Sequence, residues 1–419
     1  MINYRQATEN DLEGLLELIE AGFSAQSNSF DRKEGHDHRV LFSYLYSVDH
    51  TSLGRVYLAE DRGVFVAAVG IFPQRLYFEN IKIPVWAISP VVTHPDYRGR
   101  GIAGNCLISV LNNLKQQGIP AAFLWGLPNF YPRFGFVPLL PRYKTKLSKR
   151  QLINTHVECP SKTDGGLRKA TIADVTWISD LYNQGKHDYW LQPERSLFWW
   201  RARFAEMGIE AAEIKEVPFP KKENFLVWEN HSNKISGYFY YETIPDRQRL
   251  VISEGVAQDP ESSLAMMQTF VKEYLKPDWT LYVRGTPEHL LNTALYRLGG
   301  THLNPAPLAG MIKIIDWAGF LNYLKPLIDE RLNNWNTTFE FPYLATRDAI
   351  IRGGWNPNTG IQFDFTKPGT EIPVIDEPGL TRLLFGFYSR FEDFYQQYPL
   401  LKMLFPVKYP FIWDANYLY

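Results

Sequence analysis

Two stretches of the sequence repeat one pattern, and this repeat limits the folds that the chain can adopt. Residues 5–18 read RQATENDLEGLLEL and residues 168–181 read RKATIADVTWISDL, so that Arg, Ala, Thr and Asp recur in register. In both stretches the Thr is typical of a helix N-cap, because an Asp follows in the first turn and apolar residues continue at helical spacing. Paired strands, FLVWEN and KISGYFYYE, come after the second copy. The sequence therefore predicts one domain that occurs twice, the second copy having diverged from the first.

The pattern along the chain predicts three domains. A chain of 419 residues is too long for one ordinary hydrophobic core. Between residues 55 and 92, the runs RVYLAED, VFVAAVGIF, QRLYFEN and VWAISPVV indicate strands, and DRG and NIKIP carry the turn residues of hairpins. The helix CLISVLNNLKQQG and the buried strand AAFLWG follow. SKTDGG (161–166) indicates a linker, and the pattern changes again at MIKIIDW (311–317). We predict domains at residues 1–160, 161–310 and 311–419.

Composition excludes several classes of protein. A net charge of −1 argues against a general nucleic-acid binder. The two cysteines, Cys106 and Cys159, cannot form a disulfide framework or a structural zinc site, and the histidines of GHDHR (35–39) have no partner cluster, so we predict no metal. The longest apolar run, VFVAAVGIF, is far shorter than the roughly 20 residues that span a bilayer. With no apolar signal core at the amino terminus, we expect a cytoplasmic protein without a membrane partner.

The segment HPDYRGRGIAGNCL (94–107) carries the strongest chemical signal. It joins an apolar strand to an amphipathic helix, and the first turn of a helix offers unpaired N–H groups and partial positive charge. Gly99 and Gly101 let the backbone approach a ligand, while Arg98 and Arg100 add charge suited to phosphate oxygens. The segment therefore predicts a diphosphate site, and the alternative is a tight turn with two surface arginines.

A second motif makes a family resemblance visible. GLPNFYPRFGFVPL (126–139) follows the helix and the strand, and the whole arrangement over roughly residues 1–150 resembles the GNAT acetyltransferase superfamily. The resemblance implies that acetyl-CoA is the acetyl donor. It implies a pantetheine arm beside Val91, Val92 and Thr93, paired with the backbone like an added strand. The residues that it implies for the rest of the cofactor are Arg98, Gly99, Arg100, Gly101, Ile102 and Ala103 at the pyrophosphate, with Gly126.

The layout of the whole chain resembles the Eis (enhanced intracellular survival) family. That family has two GNAT-like domains and a third that resembles a sterol-carrier-protein fold. The fragments GGW (353–355), RLLFGFYSRF (382–391) and LKMLFPVKYPFIWDANY (401–417) fit such an ending. The resemblance implies an α+β chain: tandem α/β domains, each with a mixed central sheet flanked by helices, and a sterol-carrier-like α+β domain. It also implies a homo-oligomer, often a hexamer, and acceptors such as aminoglycosides and lysine-type amines.

Amine acetylation needs an acid and a base, and the sequence offers a candidate for each. An alkylamine with a pKa near 10 must lose a proton before it attacks. Tyr131, in F-Y-P-R-F-G-F, occupies the position where GNAT enzymes commonly keep a tyrosine near the thioester sulfur, so the resemblance implies a general acid. Its alternative role is aromatic packing among Phe130, Phe134 and Phe136. The backbone N–H near Val92 is the expected oxyanion donor.

The resemblance to the Eis family implies that the carboxylate at the end of the chain is the base. Here that group belongs to Tyr419. If Tyr417 matches the last aromatic residue of the family, Leu418 and Tyr419 are extra and displace the carboxylate by up to about 7 Å. A frayed terminus is the alternative, and Asp414 is the other candidate carboxylate.

The second copy lacks the glycine-rich turn. Its corresponding segment, SEGVAQDPESSLAMMQ (253–268), has no arginine and carries acidic residues that would repel a pyrophosphate. We therefore expect it to bind no acetyl-CoA and to form a wall of the acceptor pocket. The whole sequence predicts an acetyl-CoA-dependent N-acetyltransferase acting on a primary amine of a small, polycationic molecule. The alternative is a CoA-binding sensor or carrier without turnover.

Overall fold

The computed structural model divides the chain into two compact units. It describes residues 1–24, 38–39, 41–43, 45–46, 53–152, 165–184, 190–206, 209, 223–230, 232–304, 306–340, 344–346, 349–367, 375–385 and 404. Of the described residues, the first unit comprises those of 1–139 and 309–404, and the second comprises those of 140–308. The first unit thus combines parts of the first and third predicted domains, and the division into three domains stays a prediction. No described helix has both the length and the apolar character to cross a membrane.

The main sheet of the first unit mixes parallel and antiparallel strands. Its strands follow the order β1-β2-β3-β5-β6-β16-β7, and β4 pairs with the first half of β5. Because residues 66–72 of β3 are all buried and successive side chains point to opposite faces, this strand is covered on both faces. The helices α1 and α2 pack against it. The elements are β1 (Asn3–Gln6), α1 (Leu12–Ser24), β2 (Val56–Asp61), β3 (Val64–Phe72), β4 (Arg75–Phe78), β5 (Ile81–Thr93), α2 (Ile102–Gln116), β6 (Ala121–Trp125), β7 (Val137–Arg142) and β16 (Ala306–Ile314).

Two short hairpin turns connect these strands. Arg62 and Gly63 both have positive φ, 53° and 82°, as a two-residue turn between β2 and β3 requires. The turn predicted over NIKIP is wrong in extent, because β5 already begins at Ile81. Glu79 adopts a φ of 55°, so that a two-residue turn suffices and Ile81 pairs directly with Phe78.

The second unit contains a sheet with the order β15-β8-β14-β13-β12-β11-β9. Gly165 and Gly166, which the sequence assigned to the linker, belong to β9 and pair with Asn230 and Glu229. The described elements are β8 (Lys144–Ser148), α3 (Lys149–Leu152), β9 (Gly165–Lys169), α4 (Val175–Gln184), β10 (Trp190–Pro193), α5 (Leu197–Glu206), β11 (Glu223–Asn230), β12 (Ile235–Ile244), β13 (Arg249–Ala257), α6 (Pro260–Tyr274), β14 (Thr280–Arg284), α7 (Leu290–Arg297) and β15 (Thr301–His302).

The sequence repeat is a repeat of local structure. The Arg5 guanidinium donates two hydrogen bonds to the Asp11 carboxylate, at 2.7 and 2.8 Å, and Arg168 donates two to Asp174, at 2.8 and 2.9 Å. Both acids also accept the N–H of their Thr N-cap. The strand orders of the two sheets correspond as well, with β5 and β6 parallel in one and β13 and β14 parallel in the other.

A smaller sheet and two helices complete the first unit. In this sheet β19 pairs with β17, β18 and β20, all antiparallel. The described elements are α8 (Trp317–Leu332), β17 (Phe339–Glu340), β18 (Leu344–Ala345), β19 (Ile350–Asn356), β20 (Gly360–Thr366) and α9 (Glu377–Leu384). Phe385 packs edge-on against Phe78, with the ring centroids 5.7 Å apart. This part is of mixed α+β composition, and its likeness to a sterol-carrier protein stays a prediction.

Candidate functional site

A cleft opens in the main sheet where two parallel strands separate. The parallel register between β5 and β6 ends at Ala87 and Phe123. Beyond that point β5 carries an extra residue relative to β3, because Val69 pairs with Val91 whereas Ile71 pairs with Ile88. Such a bulge bends a strand away from its neighbours. A cavity of about 680 Å³ lies here, lined by residues of β5, α2 and the segment after β6.

The bulge requires a glycine on the strand opposite. A Cβ added at Gly70 would lie 2.6 Å from the carbonyl oxygen of Ser89 and 2.9 Å from Cδ of Pro90. Any larger residue there would push the bulged part of β5 away. Gly70 therefore lets β3 remain paired with β5 on both sides of the bulge.

The glycine-rich segment forms the start of α2 at this cavity. Gly99 and Gly101 both have a φ of 76°, a conformation that favours glycine, and a Cβ added at either would meet no atom within 4 Å. The N-cap of α2 is Gly101, and no side chain caps the helix. Gly99, Gly101, Ile102 and Ala103 line the cavity. The first-turn N–H groups of α2 thus lie beside open space, which is the geometry of an anion site.

The two arginines of the segment have different positions. Arg98 lines the cavity, and its Nη2 donates a hydrogen bond of 2.6 Å to the carbonyl of Gly22 in α1. Arg100 is not among the lining residues. Its Nη2 donates to the carbonyl of Asp96 at 2.9 Å, and its guanidinium lies over the Tyr97 ring at 4.8 Å. Arg98 therefore both brings positive charge to the cavity and ties the end of α1 to the loop.

Side chains alternate between the two faces of β5, so its three predicted contact residues do not all face the cavity. Val91 and Thr93 line the cavity. The side chain of Val92 is 2% exposed and faces away from the cavity, against α1. A Cβ added at Gly22 would lie 2.1 Å from Cγ2 of Val92, so α1 lies close against β5 here. Val92 can reach a ligand only through its backbone.

Tyr131 both packs among aromatic rings and lines the cavity. It begins the short 3-10 turn Tyr131–Phe134, is 7% exposed, and lies edge-on to Phe130, with 4.9 Å between ring centroids. Burial raises the pKa of its hydroxyl above the usual range. Gly126 provides room for the ring, because a Cβ there would lie 2.2 Å from Cε2 of Tyr131. The two roles predicted for Tyr131 are therefore compatible.

Part of the lining was not predicted from the sequence. Phe23 and His38 stack with 4.0 Å between ring centroids and an interplanar angle of 9°, and both line the cavity with Phe42, Trp125 and Leu127. His38 is one of the histidines considered as metal ligands. Among the residues that the structure describes, no group of three or more His, Cys, Asp or Glu side chains could hold a metal. No periodicity connects Phe23 with His38 in the sequence, so no signal identified this pair.

A second cavity of about 590 Å³ adjoins the first along α2. The two cavities share Gly101, Gly104 and Arg133. Lys115 and Lys313 bring further positive charge to the second cavity, and Asn105 and Asn112 line it with their amide side chains. This surface suits a phosphorylated polar group better than a cation.

The corresponding parts of the second unit have different chemistry. The N-cap of α6 is Asp259, whose carboxylate accepts the Ser262 N–H at 2.7 Å and so occupies the start of that helix. Beside the irregularity in β13, Glu254 accepts two hydrogen bonds from Arg195, at 2.6 and 2.7 Å, and both side chains are buried. The Tyr238 hydroxyl donates to the same carboxylate at 3.1 Å.

The predicted base lies outside the part of the chain that the structure describes. Tyr419, Leu418, Tyr417 and Asp414 all lie outside the described residues.

Comparison with known protein families gives a match over the first part of the chain. Residues 3–139 match the family model described as an acetyltransferase (GNAT) domain. No curated protein matches the chain.

The fold matches solved structures over nearly the whole chain. A conserved protein from Enterococcus faecalis, described as a probable N-acyltransferase, aligns with 14% identity and a TM-score of 0.71 over 99% of each chain. A GCN5-related N-acetyltransferase from Anabaena variabilis aligns with 15% identity and a TM-score of 0.67, over 99% of this chain and 100% of that one. Eis1 from Mycobacterium abscessus aligns with 12% identity and a TM-score of 0.64, over the same shares. Residues 3–139 thus match the GNAT acetyltransferase domain, and the chain shares its fold with these three proteins.

Proposed function

We propose that this protein is an acetyl-CoA-dependent N-acetyltransferase that modifies a primary amine of a small molecule. The cleft between β5 and β6, with the uncapped start of α2 at its edge, is the observation that carries this proposal. The match of residues 3–139 to a GNAT domain supports it. These findings support acyl transfer in general, whereas the acetyl group and the amine are specific to the proposal.

The described residues fit coenzyme A at both of its ends. The open backbone at Gly99 and Gly101 and the first turn of α2 would hold the pyrophosphate, helped by the charge of Arg98. The backbone at Val91 and Thr93 would pair with the pantetheine arm. The second cavity, with its two lysines and Arg133, would accept the phosphorylated nucleoside end.

Three groups of the chain then have proposed roles in the reaction. Bound acetyl-CoA supplies an acetyl group that a thioester activates. The Tyr131 hydroxyl is protonated at neutral pH, as in any tyrosine, and burial raises its pKa further. It is the proposed donor of a proton to the departing sulfur. The backbone N–H of Val92 is the proposed oxyanion donor. The carboxylate of Tyr419 is the proposed base that takes the proton of the amine.

Other predictions accompany this proposal. The occupied helix start at Asp259 and the buried pair of Arg195 and Glu254 support a second unit that binds no acetyl-CoA. The polycationic character of the acceptor, the homo-oligomer and the cytoplasmic location stay predictions.

A matched pair of glycine variants tests the phosphate site. Gly101 and Gly118 lie at opposite ends of α2, have φ values of 76° and 69°, and have no atom near an added Cβ. An alanine at either glycine therefore introduces a similar backbone strain, on the order of 1 kcal/mol. We expect Gly101→Ala to weaken acetyl-CoA binding about tenfold or more in calorimetry, and Gly118→Ala to leave it unchanged.

The result separates the proposal from its alternative. Equal affinities in the two variants would contradict the phosphate site. Tight acetyl-CoA binding without thiol release for any amine would instead favour the sensor or carrier function.

A further inference from the structure

One wall of the cavity is aromatic and has no task in holding coenzyme A. It consists of Phe23, His38, Phe42 and Trp125, which we call the aromatic wall. Phe23 and His38 present their rings as a parallel stack, 4.0 Å between centroids. Phe42 is buried and stacks on Tyr46 at 6.0 Å. Flat faces such as those of the half-buried Phe23 and His38 rings bind other rings and the ammonium groups close to them.

The wall is fixed against the proposed reaction centre. Phe23 directly follows Gly22, which approaches Val92 so closely that a Cβ would lie 2.1 Å from Cγ2. The carbonyl of Gly22 accepts a hydrogen bond of 2.6 Å from Arg98. Phe23 is therefore held by the strand and the loop that the proposed function assigns to the cofactor. A ring stacked on it would lie beside that cofactor.

The charges in the cavity disfavour a polycation. Among the described lining residues, the permanently charged side chains are Arg98 and Arg133, and none of these residues is a carboxylate. Several ammonium groups would meet these like charges, and the proposed base, the carboxylate of Tyr419, could pair with only one of them. Leu127, which is 66% exposed, adds an apolar surface to the lining.

We infer that the acceptor is a monoamine carried on an aromatic ring, an arylalkylamine, in place of the polycationic acceptor that the family resemblance implies. The ring stacks on the aromatic wall, and its short alkyl arm brings the amine to the acetyl group. The inference rests on the proposed function. It adds a substrate class and names Phe23 as a residue that determines specificity.

An amine panel tests the substrate class. Thiol release from acetyl-CoA is measured for the full-length protein with 2-phenylethylamine, tryptamine, 2-cyclohexylethylamine, spermidine and an aminoglycoside. We expect the two arylalkylamines to exceed spermidine and the aminoglycoside about tenfold or more in kcat/KM. The cyclohexyl compound, of similar apolar size but without a flat ring, should be several-fold poorer than 2-phenylethylamine.

Variants at Phe23 connect this preference to the wall. Phe23→Ala should raise KM for 2-phenylethylamine about tenfold, while Phe23→Tyr retains the ring and should keep KM near the wild-type value. The affinity for acetyl-CoA, measured by calorimetry, should stay within about twofold in both variants and report correct folding. Phe363→Ala is the matched control, because this half-buried phenylalanine of β20 is not among the cavity residues.

Each outcome has a distinct meaning. Turnover of spermidine or the aminoglycoside in preference to the arylalkylamines overturns the inference and leaves the proposed function intact. An unchanged KM in Phe23→Ala also overturns it. Thiol release with none of the amines overturns the proposed function and this inference together.

Discussion

Tyr131 illustrates how a single side chain can serve both packing and chemistry. Its ring fills the space that Gly126 leaves open, and among the described residues no group forms a hydrogen bond with its hydroxyl. The same burial that fixes the ring also opposes ionisation of the phenol and raises its pKa. Burial alone thereby favours the protonated hydroxyl at the cavity.

A phenylalanine variant tests that proton. Tyr131→Phe keeps the packing and removes the hydroxyl, so we expect kcat to fall about a hundredfold with little change in the affinity for acetyl-CoA. Because the pKa of Tyr131 is raised, the neutral form persists to higher pH than in a free tyrosine. Wild-type kcat should therefore show no loss from Tyr131 ionisation up to about pH 10, the ordinary pKa of tyrosine. Unchanged turnover in the variant would leave Tyr131 with packing alone.

Among the helices and strands, the end of α1 connects two parts of the candidate site. It contacts β5 through Gly22 and the glycine-rich loop through Arg98. An alanine at Gly22 would place its Cβ against Val92, and the helix end would have to move.

We expect Gly22→Ala to raise KM for the acceptor more than it changes the affinity for acetyl-CoA. Shifting α1 moves Phe23 directly, whereas it reaches the cofactor site only through the hydrogen bond from Arg98 to the Gly22 carbonyl. Steady-state kinetics and calorimetry measure the two quantities. Gly166→Ala is the control, since a Cβ added at Gly166 meets no atom within 4 Å. Equal effects of the two alanines would show that the contact between Gly22 and Val92 does not position the site.

Local sequence patterns predicted the positions of the helices and strands well, and the contacts between them less well. The bounds of β3 coincide with the apolar run VFVAAVGIF, and the glycine-rich segment starts a helix. The bulge in β5 was missed, because it depends on Gly70 of the neighbouring strand. The hydrogen bond from Arg98 to Gly22 was missed for the same reason. Such features arise from contacts between distant residues, which periodicity does not encode.

The two copies share a structural framework and differ at the helix start that forms the candidate site of the first copy. The pairs Arg5–Asp11 and Arg168–Asp174 have almost the same geometry. The helices that follow β5 and β13 start differently, however: α2 begins after Gly101 and α6 after the capping residue Asp259. The sequence alone indicated both the repeat and this difference.

This difference predicts the stoichiometry of binding. Calorimetry with acetyl-CoA should show one site per chain, because the Asp259 carboxylate already accepts an N–H of its helix and would repel phosphate. Two equivalent sites would contradict this. The variant Asp259→Gly should not create a second site, since the buried pair of Arg195 and Glu254 remains.

The pairing of β6 with β16 also determines when the site can form during synthesis. Residues Ala121–Trp125 are hydrogen-bonded on one side to Gly310–Ile314, which the ribosome adds much later. Until those residues emerge, β6 has an open edge, and the segment carrying Tyr131 lacks its support. The nascent chain must therefore keep its first sheet incomplete while residues 140–308 of the second unit are translated. A functional cleft is a late product of folding, although nearly all of its residues are made early.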